Sequence, residues 1–207
     1  MSRRLLTIAR KFYLQSERIL NTFNNTLHPE VSDCCKNSHG PTRQQCVLNL
    51  YDAWTQFSKE LLIYSAQGGY ETSGNTVLSR ATNVINTDPL NFIYSLSNRY
   101  NPTTPPSWGI ASELIGIARR LGLANYSTVS AAIGSINSPA ETVRISRNYI
   151  AHKNKLTANK AINSLRTYGA TSSLDIDKIL LTRTARGVSV FEDWRNGLVT
   201  IAFSCCK

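Results

Sequence analysis

Acidic side chains are scarce in this chain. Its 13 Asp and Glu stand against 23 Lys and Arg, a formal net charge of +10 over 207 residues. Such an excess draws polyanions, whether nucleic acid, anionic membrane surfaces or acidic proteins, without choosing among them. Charged residues make up only 17 % of the chain, so Ser, Thr and Asn carry much of its polarity. Long apolar runs are lacking as well: none approaches the ~20 residues that a membrane-spanning helix needs. Met1-Ser2-Arg3-Arg4-Leu5-Leu6 begins like an export signal. Arg10, Lys11, Gln15, Glu17 and Arg18 then interrupt the apolar stretch that export requires, and a cytoplasmic protein is expected.

A disulfide framework is also missing. Cys34, Cys35, Cys46, Cys205 and Cys206 are odd in number and include two adjacent pairs, which suits reduced, partly buried thiols. Cys34, Cys35, His39 and Cys46 supply four zinc-type donors but no paired C-x-x-C knuckles, so no metal and no other cofactor is expected. Residues Gly68 to Gly74 are glycine-rich yet lack the Gly-Lys-Ser/Thr ending of a phosphate loop, and read as a flexible surface loop. No dinucleotide fingerprint, Ser-His-Asp set or paired catalytic carboxylate is evident. Asp52, Glu60 and Glu71 read as solvated surface residues. Sustained alternation of apolar and polar residues is absent, as are internal repeats and low-complexity tracts, which excludes sheet and solenoid architectures.

Helical periodicity is what remains, and it runs almost throughout. Leu5, Ile8, Phe12, Ile19, Phe23 and Leu27 mark a long first helix. Residues 28–42, with His28-Pro29 and Gly40-Pro41, read as a loop. Val47, Leu50, Tyr51, Trp54, Phe57, Leu61 and Tyr64 form a strong apolar stripe that stops at Gly68-Gly69. A shorter helix is expected over 76–86, with Asp88-Pro89 near its end. Trp108, Ala111, Leu114, Ile115, Ala118 and Leu121 form the next stripe, closed by Gly122, and Ser127 reads as the cap of a short helix reaching Asn137. Ser138-Pro139-Ala140-Glu141 combines a capping residue, a proline suited to the first helical position and a capping-box glutamate, which predicts a helix starting at Pro139. Thr157 reads as the cap of a continuation to Tyr168. Ser189-Val190-Phe191-Glu192 repeats the box before a terminal helix. The expectation is all-α: an antiparallel helical bundle forming one domain over 1–207, with a helix-and-loop extension over 1–42 and a core bundle over 43–207.

Arg147-Asn148-Tyr149-Ile150-Ala151-His152 carries the chemistry. Arg can hold a phosphate through paired donors, and His moves protons near neutral pH. Lys153 and Lys155 follow, and Arg144 precedes; all three favour a polyanion. RNA brings its own nucleophile, the 2′-hydroxyl. His152 as general base or acid and Arg147 as stabiliser of the developing phosphate charge would be enough to cleave it. Asn148 would orient His152 or hold a phosphate oxygen. On an ideal helix Asn148 and His152 share a face, whereas Arg147 and His152 point about 140° apart. That spacing suits two copies meeting across a symmetry axis better than a self-contained site.

The segment Arg147 to Asn154 resembles the signature of the HEPN domains (higher eukaryotes and prokaryotes nucleotide-binding): Arg, a polar residue, several positions, then His. Leu48 to Trp54 with Phe57 to Leu61 resembles the early helix of HEPN ribonuclease families, and Pro106-Ser107-Trp108 leading to Leu121-Gly122-Leu123 resembles their middle segment. The likeness covers roughly residues 43–168, and only the Arg–His motif is specific. It implies an α-helical bundle, a homodimer, and metal-independent RNA cleavage to 2′,3′-cyclic phosphate and 5′-hydroxyl ends. Arg147 and His152 would be catalytic, with Asn148 supporting. Many relatives act as bacterial toxins or abortive-infection effectors restrained by an antitoxin or other partner protein; others serve as non-catalytic interaction modules.

A rival reading is DNA binding. Ile117 to Ser130 resembles a helix-turn-helix unit with Gly122 and Ala124 near the turn. Its second helix offers Ser, Thr, Ala and Ile, however, and base readout usually needs Arg, Lys, Asn or Gln.

Overall fold

The computed structural model describes residues 4–27, 39–79, 88–135, 138–172 and 174–207. They are mostly helical, with no β-strand among the described residues beyond isolated bridges. The helices are α1 (Leu5–Asn25), α2 (His39–Ala66), α3 (Pro89–Ser95), α4 (Ala111–Leu121), α5 (Tyr126–Ile133), α6 (Pro139–His152), α7 (Lys155–Leu165), α8 (Ile176–Leu181) and α9 (Val190–Ser204), with a 3₁₀ turn at Arg166–Tyr168. None is long and apolar enough to cross a membrane.

By its contacts the chain divides into two compact units. One holds the residues up to Tyr13, Trp54–Ser138 and Val199–Lys207; the other holds Leu14–Ala53 and Pro139–Leu198. Residues of α1, α2 and α9 therefore occur in both units.

The first unit is centred on Phe12, Trp54 and Phe57, whose rings meet at centroid distances of 5.4–6.0 Å. Leu61, Leu114, Ile117, Leu121 and Val129 complete a buried core around them. The Gly-rich stretch is tied down rather than loose: Tyr70 accepts from the Leu5 N–H at 2.8 Å, and the Thr72 N–H donates to the Cys206 carbonyl at 2.9 Å. Cys205 and Cys206 are fully buried, and burial pushes both thiols up, Cys206 to about 12. Thiolate chemistry is thereby suppressed.

Several boundaries in this unit differ from the sequence expectation. The helix expected from Thr76 does not form over its described residues: Thr76 pairs with Tyr70 in a bridge, and 77–79 are not helical. Asp88-Pro89 begins a helix instead of ending one, since the Asp88 carboxylate accepts from the Leu90 N–H and Pro occupies the first turn. Trp108 precedes α4, and α5 starts at Tyr126, ahead of the expected cap Ser127. Gly122 closes α4 in the left-handed conformation, φ 60°, that glycine adopts without strain.

The second unit carries the candidate site. Its core stacks Phe23 on Phe191 at 4.4 Å and sets Tyr168 edge-on to Trp194 at 6.2 Å, over Val47, Leu50, Val143, Leu165 and Leu198. α2 starts at His39, so residues 39–42 are helical and not loop; Pro41 sits in the first turn, where its missing N–H costs nothing. The rest of the expected 28–42 loop, with Cys34 and Cys35, lies outside the described residues. Arg195 is 5 % exposed, and its Nε donates to the Ser16 hydroxyl at 3.0 Å while its guanidinium pairs with Glu17, which fastens α9 to α1. Asp177 of α8 accepts from the Gln44 amide at 3.1 Å and lies close over Gly40, its carboxylate 2.8 Å from where a Cβ would stand. α8 itself was not anticipated; it is six residues long, too short for a stripe to show.

Candidate functional site

α6 begins at Pro139, where the Ser-Pro-Ala-Glu pattern places it. Its start is fixed from outside by α9: a Cβ built on Gly197 would fall 2.8 Å from Pro139 Cγ, so the two helices approach as closely as glycine allows. Ala140, Val143, Ser146 and Ile150 are buried, and the charged residues of the helix all lie at the remaining positions.

Arg147 is half-buried and lies over the ring of Tyr51 on α2, with the guanidinium carbon 5.8 Å from the ring centroid. That is within cation–π range. Its Nη1 also donates to the Asn148 side-chain carbonyl at 3.3 Å. Asn148 thus orients Arg147; no hydrogen bond joins it to His152 among the described residues. Tyr51 itself is half-buried, and burial raises its phenol above the ordinary value. Arg144 and Arg147 pull it down, while Glu141 and Asp52 add to the rise. Sequence periodicity had counted Tyr51 among the core residues of the α2 stripe. Nothing in its neighbours signals a partner so far along the chain.

Arg144 stands in a different position from Arg147. Glu141 grips it through Nε at 2.7 Å and Nη2 at 2.5 Å, and this pairing raises its already high basicity. A guanidinium occupied in this bidentate way is less available to a phosphate than the sequence alone suggests.

His152 is exposed at the last position of α6, and its side chain makes no hydrogen bond or ion pair among the described residues. Lys153 then takes φ 43°, with its N–H donating to the Tyr149 carbonyl at 2.8 Å. This left-handed helix end is normally a glycine position, and a lysine there costs roughly 1–2 kcal/mol. The chain turns at once into α7, capped by Asn154: its side-chain Oδ1 accepts from the Thr157 N–H at 2.9 Å while the Thr157 hydroxyl accepts from the Asn154 N–H at 3.2 Å. The cap is therefore Asn154, with the expected capping residue Thr157 as its reciprocal partner, and α6 and α7 form a hairpin joined by two residues. Lys153 and Lys155 are exposed on either side of this turn.

Arg147, Asn148 and Tyr51 are thus brought into one group, and His152, Lys153 and Lys155 into another at the helix end. Arg147 and His152 are not joined within one chain. The first group can hold an anion through its guanidinium; the second offers an accessible imidazole flanked by cations. No group of His, Cys, Asp and Glu suited to a metal ion occurs among the described residues. No family model matches this chain, and neither a curated protein nor a solved structure does.

Proposed function

We propose that this chain is a metal-independent endoribonuclease of the HEPN type, acting as a homodimer. The observation that carries the reading is the division of labour on α6: a guanidinium held in place by Tyr51 and Asn148, and an unencumbered imidazole at the helix end. In the reaction the 2′-oxygen attacks the adjacent phosphorus as His152 removes its proton. Arg147 stabilises the charge gathering on the non-bridging oxygens. The bond to the 5′-oxygen breaks, and that oxygen takes up the proton that the His152 imidazole has just gained. The products are a 2′,3′-cyclic phosphate and a 5′-hydroxyl. Lys153 and Lys155 attract the RNA backbone, and Arg144 joins them only where a phosphate displaces Glu141 from its guanidinium. Such an activity fits a bacterial toxin or phage-defence effector held in check by an antitoxin or another defence protein.

The test is an end-mapped digest of cellular RNA in EDTA. Wild-type protein should leave cyclic phosphate ends, and His152→Ala and Arg147→Ala should each reduce cleavage by at least about a hundredfold, the scale of a lost acid–base or charge-stabilising group. Helical circular dichroism should be unchanged. Full activity in either variant rejects the assignment.

A second reading rests on α4 and α5, which pack together and are joined by Gly122–Asn125, a connection of helix-turn-helix length. Only Ser127 and Ala131 of α5 are well exposed, and neither reads bases strongly. Tight duplex-DNA binding that survives loss of both Arg147 and His152 would favour it.

A further inference from the structure

We infer that the outer face of α7, with the loop at 170–172, is a subsite for single-stranded RNA next to the scissile phosphodiester; the inference rests on the endoribonuclease reading of α6 and names where its substrate lies. An open cavity of about 450 Å³ sits on this face. Asn159, Ile162 and Asn163 line it from α7, Arg166 from the 3₁₀ turn that follows, and Thr171 and Ser172 from the loop.

Burial fixes which way α7 faces. Ala161 and Leu165 are fully buried, while Lys155, Asn159, Asn163 and Arg166 are exposed. Those four follow one another at intervals of four, four and three residues, which is one stripe along a helix, about 16 Å long at 1.5 Å per residue. The Lys155 end abuts the two-residue turn behind His152, so the stripe leads away from the reacting imidazole.

The chemistry of the stripe matches an unpaired strand. Two carboxamides each present a donor and an acceptor, the combination that reads base edges, and a duplex would hide those edges from them. Ile162 supplies an apolar floor for a sugar or base face. Arg166 is available for phosphate: its side chain makes no ion pair or hydrogen bond among the described residues, in contrast to Arg144, Arg186 and Arg195, each held by a carboxylate. No carboxylate lines the cavity among the described residues. Between Thr142 and Leu174 the sequence contains no Asp or Glu, yet it contains Arg147, Lys153, Lys155, Lys160 and Arg166, besides Arg144, which Glu141 neutralises. The surrounding positive field lies on the same α6–α7 hairpin that carries Arg147 and His152.

The experiment measures fluorescence anisotropy of a labelled 2′-O-methyl oligoribonucleotide of mixed sequence, which lacks the nucleophilic hydroxyl and stays intact. Arg166→Ala should weaken binding about fivefold and lower the slope of log affinity against log salt by about one. The double variant Asn159→Ala/Asn163→Ala should weaken it about tenfold at unchanged salt slope, the signature of lost base contacts. With cleavable RNA both should raise KM and leave kcat alone. All three positions are exposed, so folding is not at stake. Wild-type affinity in both variants, or preference of the wild-type chain for duplex DNA over this strand, overturns the inference. His152→Ala separates the two readings: if it cleaves like wild type while the α7 variants lose binding, the catalytic assignment fails and the subsite stands.

Discussion

Arg147 is held by two neighbours of different kinds. Asn148 offers an acceptor on one side, and the face of Tyr51 lies beneath the guanidinium. A guanidinium that arrives already oriented stabilises a developing phosphate charge without reorganising at that moment. Tyr51→Phe keeps the ring and should leave kcat near wild type. Tyr51→Leu keeps burial but loses the ring quadrupole, worth about 0.5–1 kcal/mol at a half-exposed site, so kcat should fall about two- to fivefold with KM little changed. Single-turnover cleavage of one defined RNA by the three proteins checks this; equal rates for the leucine and wild-type proteins would discard Tyr51 as a positioning residue. Sequence reasoning singled out Arg147 and His152 as candidates because a motif is local. Tyr51 escaped it, since a tyrosine at a stripe position has the periodicity of a core residue and its partner sits on another helix.

Among the elements, α6 is the one whose placement decides the site, and its start was legible in the sequence. Ser138-Pro139 with Glu141 is a helix-start signal that needs no tertiary contact to act. Asp88-Pro89 and Asn154 were harder to read. A proline after an aspartate can end one helix or begin the next, and an Asn–Thr pair in a capping box satisfies the backbone reciprocally, so composition alone leaves the cap ambiguous. What no local signal shows is the seat of α6 against α9. A glycine inside a helix normally costs about 0.5–1 kcal/mol relative to alanine, yet Gly197 lies where a methyl group would meet the rigid Pro139 ring at 2.8 Å. Overpacking costs about 1–3 kcal/mol and outweighs the gain in helix propensity. Gly197→Ala should therefore destabilise the protein by about 1 kcal/mol net of that gain, and cleavage should weaken as α6 shifts. Urea unfolding of the two proteins reads this directly. An alanine variant of equal or greater stability would mean that the α6–α9 approach is looser than its geometry.

For the whole molecule the question is how many copies make one site. Within a chain, Arg147 turns onto Tyr51 while His152 stands exposed at the helix end, and helix geometry separates their directions by about 140°. Two copies related by a twofold axis place the same patch of each against the other, so Arg147 of one can share a phosphodiester with His152 of the other. Mixing tests this arrangement. Arg147→Ala and His152→Ala proteins are each expected to be inactive alone, because every site in either homodimer lacks one group. In a mixed dimer one site lacks both groups and the other keeps both. Random exchange makes about half of the dimers mixed, each with one working site of two, so an equimolar mixture should recover about one quarter of wild-type activity. A site drawing both groups from one chain gives no recovery, since neither variant then contains an intact pair. Dilution supplies an independent check: specific activity should fall as the dimer dissociates, with the same midpoint as the mass change seen by light scattering. Activity that persists in the monomer, together with absent complementation, would move the whole site onto a single chain and leave the spacing of Arg147 and His152 to be bridged by motion of the helix end.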